Sequence, residues 1–240
     1  MLKLSILSFF FLANCSLFIE SNEPKDSDVC SLDGYSKIWG CDKDEIENIL
    51  IERYDSVDKC SSCWLYASSS LIETRYRIDK QNVNVRVDKQ DALSKTRPGY
   101  DCSGGNPQDV FELAKEGIQS NIGTLHVSEH KSYFTLSYKN MIKKIKDLLV
   151  DGPFILYSGS FNLVYSDIRL KKCEKREGAE AHVLMVFGYK QEGDNLLLLV
   201  KDSYHYAQLY SIEFNEQSYA DCEFYGMFYL EKDSVSLKNN

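Results

Sequence analysis

The sequence predicts an α+β fold made of a helical half packed against a barrel-like antiparallel sheet half, and three observations carry that expectation. Apolar residues recur at helical spacing early in the chain, at Trp64, Ala67, Leu71, Ile72 and Ile78 and again at Val110, Phe111, Leu113 and Ala114. Gly152-Pro153 stops a third such stretch, built on Met141, Ile142, Ile145, Leu148 and Leu149. Beyond Pro153 the chain becomes a series of short apolar runs separated by polar turns. Helices first and strands afterwards indicate segregated layers rather than alternating βαβ units.

From the start of the chain, Met1-Leu2-Lys3 is basic, 4–13 is apolar, and polar residues begin at Asn14. Residues 1–20 therefore read as a secretory signal peptide whose apolar run is too short to span a bilayer. Leu12-Ala13-Asn14-Cys15 faintly resembles a lipoprotein cleavage box, but asparagine before the cysteine does not suit one. Residues 21–53 form a charged, weakly patterned N-terminal segment, and 54–240 are expected to make one domain. Within it, a helix is predicted from about 62 to 78, and irregular polar chain over 79–101. A glycine turn lies at Gly104-Gly105. Asn106 caps the next helix, with Pro107 at its first position and Gly117 at its end. Strands are predicted at 154–157, 182–189, 195–201, 209–214 and 224–231.

Thirty-six acidic against 28 basic residues give a net charge of −8, which argues against nucleic acid as a partner. The basic stretches Lys143-Lys144-Ile145-Lys146 and Arg169-Leu170-Lys171-Lys172 are short and read as solvated faces. No later segment has the length and apolarity of a membrane span, so no membrane association is expected once the signal is removed, and no cofactor or metal is implied. Oligomeric state is not legible. Of the eight cysteines, Cys15 would leave with the signal peptide. The odd remainder, in an oxidising compartment, suggests three bridges and one free thiol.

The candidate chemistry begins at Cys60-Ser61-Ser62-Cys63-Trp64. It places Cys63 at a helix N-terminus, where unpaired N–H groups and the positive end of the macrodipole favour thiolate over thiol. His182 opens an apolar run, and Asp202 lies beyond it in Lys201-Asp202-Ser203-Tyr204. Bland readings stand beside these. The paired cysteines alone suit a structural disulfide, half a zinc site or a redox pair. Zinc, however, needs two further ligands at comparable spacing, and thioredoxin-like motifs place tryptophan before the first cysteine. A histidine in an apolar strand is by default a core residue, and an aspartate such as Asp202 more often caps a turn. His126, His130 and His205 lie in polar segments and read as surface residues.

Taken together, these residues resemble the papain-like cysteine peptidases, over roughly residues 54–231. Cys60-Ser61-Ser62-Cys63-Trp64 resembles that family's C-G-S-C-W, and Cys102-Ser103-Gly104-Gly105-Asn106-Pro107 its C-N-G-G-x-P turn. Gly152-Pro153 before a strand is similar to the start of its barrel-like half. The run from His182 to Gly188 and Tyr189 resembles H-A-V-x-x-V-G-Y, and Lys201-Asp202-Ser203-Tyr204 resembles K-N-S-W. The resemblance implies a cleft between the halves, with Cys63, His182 and Asp202 as the catalytic set. It also implies peptide or protein substrates, with Gly104 and Gly105 lining the substrate backbone. By the same carry-over Cys60 would pair with Cys102 and Cys173 with Cys222, leaving Cys30 and Cys41 to each other.

The departures from the family pattern matter as much. Val57 stands where the family places a glutamine that donates to the oxyanion, and losing such a donor costs about 10²–10³ in rate. Asp202 stands at the family asparagine and Tyr204 at a tryptophan. The length also leaves no room for the usual inhibitory propeptide. Two functions therefore remain open. One is a secreted or lysosome-like cysteine peptidase, either endo- or exopeptidase, of reduced activity. The other is an inactive papain-like fold that binds peptides or proteins.

Overall fold

The computed structural model describes residues 37–39, 62–81, 84–99, 104–165, 170–203 and 209–238. The signal segment, Cys30, Cys41, Val57, Cys60, Cys102, Tyr204 and His205 lie outside the described residues. Five helices and twelve strands make up the described chain, with helices and mixed sheets in an α+β arrangement.

Helix α1 (Cys63–Lys80) is the central support. Every residue from Trp64 to Arg77 is buried, so the helix packs on all sides and its polar groups need internal partners. They have them. Glu73 accepts from the Val87 N–H at 2.8 Å and from Lys89 Nζ at 3.0 Å. Arg75 pairs with Asp79 at 3.2 Å and donates to the Asp151 carbonyl at 3.0 Å. The chain expected to be irregular over 79–101 contains helix α2 (Lys89–Thr96), capped by Asp88, which accepts from Gln90 and Asp91 N–H at 3.1 and 3.0 Å. Only Ala92 of that helix is fully buried, so it carries no apolar stripe to read.

Helix α3 (Pro107–Glu116) has the expected start, with the Asn106 side chain accepting from the Gln108 N–H at 3.0 Å. Strands β2 (Ile118–Ser120) and β3 (Gly123–Val127) come next, then β4 (Lys131–Phe134) and helix α4 (Tyr138–Asp151). The front of the chain is thus less purely helical than its periodicity suggests. The C-terminal strand β12 (Val235–Lys238) returns to pair with β3, giving a small sheet of order β12-β3-β2.

The large sheet comprises β1 (Lys37–Ile38), β4, β5 (Phe154–Ser158), β6 (Leu163–Tyr165), β7 (Leu170–Cys173), β8 (His182–Glu192), β9 (Asn195–Lys201), β10 (Leu209–Phe214) and β11 (Phe224–Tyr229). Helix α5 (Glu216–Asp221) links its last two strands. The order is β4-β11-β5-β8-β9-β10-β7-β6, with β1 pairing separately to β8. Its ladders are antiparallel except that β7 runs parallel to β10. In that order β4 and β6 are the two ends, so the sheet is open rather than a closed barrel.

The sheet divides the interior. Phe154 and Leu156 of β5, with Leu184 and Val186 of β8, pack in the cluster that holds Met141, Ile145 and Leu149 of α4. Ile155 and Val183, one residue out of phase, pack instead with Trp64, Leu71 and Ile72 of α1 and Phe111 of α3. Alternation on β5, and the change of side from Val183 to Leu184 at the start of β8, therefore supply both halves of the core. A disulfide between Cys173 and Cys222, with Cα atoms 5.5 Å apart, ties the end of β7 to the residue following α5.

Gly105 shows how closely the α3 approach meets α1. A Cβ there would lie 2.3 Å from the Trp64 ring. Trp64 is fully buried and cannot retreat, so Gly105→Ala should destabilise the fold by about 1–3 kcal/mol through overpacking. Urea unfolding of the full chain, wild type against variant, measures it.

Candidate active site

Three elements converge on one point. Ser62 precedes α1, and its carbonyl accepts from the Leu65 and Tyr66 N–H groups at 3.0 and 3.2 Å, which fixes the first turn. Cys63 is the first residue of that turn, partly exposed, with its thiol unbridged. The Cys63 side chain hydrogen-bonds His182, the first residue of β8. His182 Nε2 lies 2.7 Å from Asp202 Oδ1, just beyond the end of β9. Both side chains are about 5% exposed or less. Cys63, His182 and Asp202 thus stand in a line, in the order the sequence suggests.

Sheet register explains the meeting. Ser158 of β5 is opposite His182, and Met185 of β8 is opposite Lys201. Continued by one residue, the antiparallel β8–β9 register sets Asp202 opposite Leu184, two residues from His182 on the same face, so the two side chains meet diagonally across neighbouring strands. Two further residues complete the surroundings. The Phe161 ring lies against the His182 imidazole, with centroids 4.5 Å apart and planes inclined by 33°. The Tyr210 hydroxyl donates to Asp202 Oδ2 at 2.5 Å. Neither was legible as a site residue. Phe161 lies after a strand end in a short loop, and Tyr210 is opposite Val200, so its reach to Asp202 depends on register.

Burial disfavours the charged imidazolium, but the Asp202 carboxylate, by charge and by hydrogen bond, more than reverses this, with a further contribution from Cys63. The His182 pKa is pushed up to about 10. The site accordingly holds an ion pair out of water, with the second carboxylate oxygen satisfied by Tyr210.

The glycine turn and the remaining basic residues have definite places. Gly104 has φ +86°, a left-handed conformation suited to glycine. Gly105 abuts Trp64, so the turn reaches the residue next to Cys63. His130 is not a free surface residue. Its ring stacks on buried Phe111 at 5.0 Å, and burial lowers its pKa. Lys171 is not on a solvated face either. It is 9% exposed, and its Nζ sits 3.5 Å from the Tyr210 ring centroid. Its neighbour Lys172 takes the surface position, pairing with Glu213 at 3.0 Å.

Comparison with known proteins bears on this geometry. Residues 41–150 match the family model for papain family cysteine protease, a span that includes Cys63 but ends before His182 and Asp202. Solved structures extend the likeness over more of the chain. The bromelain protease from Ananas comosus, in complex with the E64 inhibitor, superposes with a TM-score of 0.57 at 16% identity, covering 73% of this chain and 91% of bromelain. The fold is papain-like. Procathepsin B S9 from Trypanosoma congolense gives a TM-score of 0.56 at 14% identity, covering 75% and 72% of the two chains. A structure from a study of the mite allergens Blo t 1 and Der p 1 gives 0.55 at 17% identity, covering 75% and 67%. No curated protein matches the sequence. Among the described residues, no helix is long and apolar enough to cross a membrane.

The raised His182 pKa links the site to folding. A histidine near its ordinary value of about 6.5 when unfolded and near about 10 when folded stabilises the fold fully below the lower value. That contribution is lost as pH climbs through the higher one. Thermal melting midpoints of the full chain should fall between pH 7 and pH 10. The fall should be smaller in Asp202→Asn, which removes the cause of the shift.

Proposed function

We propose that this papain-like protein is a cysteine peptidase of the secretory pathway, acting on peptide or protein substrates through Cys63 and His182. The observation that carries the reading is an unbridged thiol at a helix N-terminus, hydrogen-bonded to a buried imidazole that is itself held by a carboxylate. The Cys173–Cys222 bridge fits an oxidising compartment.

In the first half-reaction the Cys63 thiolate attacks the peptide carbonyl carbon, forming a C–S bond and an oxyanion. His182, as imidazolium, gives its proton to the amine nitrogen as the C–N bond breaks, leaving a thioester and a neutral ring. In the second, a water attacks the thioester while neutral His182 takes its proton. The acid departs and the thiolate returns with its imidazolium partner. Asp202 acts through His182 and is a positioning residue: it aims the ring and stabilises its charged form. The Cys63 backbone N–H supplies one oxyanion donor, and Val57 supplies no side-chain donor.

Asp202 affects the two halves unequally. A strongly held proton suits donation-ready imidazolium before acylation but hinders the neutral ring that deacylation needs. Asp202 holds His182 well above the ordinary imidazole range, so little of the ring is neutral at pH 7. The acyl-enzyme should therefore accumulate. With an activated ester, the leaving alcohol should appear as a burst of one equivalent per protein followed by slow turnover. The burst should vanish in Cys63→Ala. Asp202→Asn should speed the slow phase at pH 7 by about 10–10²-fold, because a larger neutral fraction outweighs the weaker base. Absence of any burst, with Cys63 resistant to alkylation, would overturn the enzyme.

The same held imidazolium, together with Val57, favours the second reading, a papain-like fold that binds peptides without cleaving them. Val57→Gln separates the two. In a working but incomplete oxyanion site it should raise the acylation rate, by up to about 10²–10³-fold if the new amide is well placed. In a binding module it should change nothing in stopped-flow acylation.

A further inference from the structure

Four adjacent strands each bring one polar side chain to a single line. In the sheet order β8-β9-β10-β7, His182 begins β8, Asp202 lies just past the end of β9, Tyr210 stands on β10 and Lys171 on β7. Register places Tyr210 opposite Val200, two residues before Asp202, and Lys171 opposite Ile212, two residues after Tyr210. Residues two apart share a sheet face, so the line runs diagonally across one face. Each link is close: 2.7 Å from His182 Nε2 to Asp202 Oδ1, 2.5 Å from the Tyr210 hydroxyl to Asp202 Oδ2, and 3.5 Å from Lys171 Nζ to the Tyr210 ring centroid.

A lysine at 9% exposure beside an aromatic ring calls for an explanation, since removing an ammonium from water is costly unless its charge is compensated. The Asp202 carboxylate, 3% exposed, has the opposite need. His182, its cationic neighbour in the hydrogen-bonded line, spends its charge during the proposed acylation when it gives up a proton. We propose that Lys171 and Tyr210 are positioning residues for the site, keeping the Asp202 carboxylate ionised and aimed at His182 throughout the cycle. Tyr210 fixes Oδ2 by hydrogen bond, and Lys171 supplies a permanent compensating charge through the ring on which it rests. The attraction of Asp202 acts back on Lys171, opposing the fall in its pKa that burial causes.

Among the described residues, the groups that act on Asp202 include His182 from β8, Tyr210 from β10 and Lys171 from β7, with Cys63 of α1 beyond His182. Acidification is the condition that separates their roles, because Lys171 stays charged while Asp202 takes up its proton. The catalytic consequence rests on the peptidase reading, so the decisive measurement is the carboxyl group itself. In full-length protein labelled with ¹³C at the aspartate carboxyl, the Asp202 signal, assigned by its loss in Asp202→Asn, is followed from pH 7 to acid.

Lys171→Met keeps the aliphatic stem and removes the charge. It should raise the Asp202 midpoint by about one unit, a tenfold gain in proton affinity, while Lys171→Arg leaves it near the wild-type value. Tyr210→Phe should also raise the midpoint by removing a hydrogen bond to the charged form. Circular dichroism at pH 7 reports folding. Should Lys171→Met fail to fold, Lys171→Gln and Tyr210→Phe read the charge and the hydrogen bond separately. An unchanged midpoint in the charge-removing variant, or an equal shift in Lys171→Arg, overturns the proposal. Either result is legible even if the protein cleaves no peptide, so it is distinct from failure of the peptidase reading. If peptides are cleaved, the acid limb of kcat should move up with the same midpoint while KM holds.

Discussion

The ion pair between His182 and Asp202 is the constraint around which the rest of this molecule is arranged. Two opposite charges buried at 2.7 Å are tolerable only with accurate geometry and with their remaining polar atoms satisfied. The sheet supplies the geometry, because both residues terminate neighbouring antiparallel strands. Tyr210 supplies the remaining hydrogen bond, and Phe161 covers the face of the imidazole. Helix α1 is then held against β8 by a core in which Val183, next to His182, packs with Trp64, next to Cys63. Cys63 and His182 are brought together by their immediate neighbours in the chain.

Replacing a neutral amide by a carboxylate at position 202 changes the balance of such a site. A neutral partner orients the ring while leaving its proton affinity near the ordinary range, whereas a buried carboxylate binds the proton as well as the ring.

Much of this was legible from the residues. Helices α1, α3 and α4 announced themselves through period-3.6 apolar spacing and through Asn106-Pro107 and Gly152-Pro153 at their ends. Strands β9 and β10 have the expected limits, since their leucine, valine and isoleucine runs are bounded by polar residues. Helix α2 was hidden because a helix lying on the surface with only Ala92 buried has no apolar face. Strands β2, β3 and β12 were hidden because each is short, and the pairing of β12 with β3 joins residues about a hundred positions apart. Lys171 was misread for a related reason. Composition makes Arg169-Leu170-Lys171-Lys172 look uniformly solvated, but strand alternation turns Lys172 outward to Glu213 and Lys171 inward to Tyr210.

The Cys173–Cys222 bridge lies two residues from Lys171 on the same short strand. A cross-link spanning 49 residues restricts the unfolded chain by about 4 kcal/mol in the chain-entropy view. Its local effect is more specific. Strand β7 lies next to the sheet's outermost strand, β6, held on one side by a ladder to β10 and on the other by the three-residue β6. Without a covalent tether such a strand would fray readily. The bridge ties the position of Lys171 to the thiol chemistry of its surroundings. A chain that matured in a reducing environment would have the same fold written in its sequence but a looser hold on the charge behind Asp202.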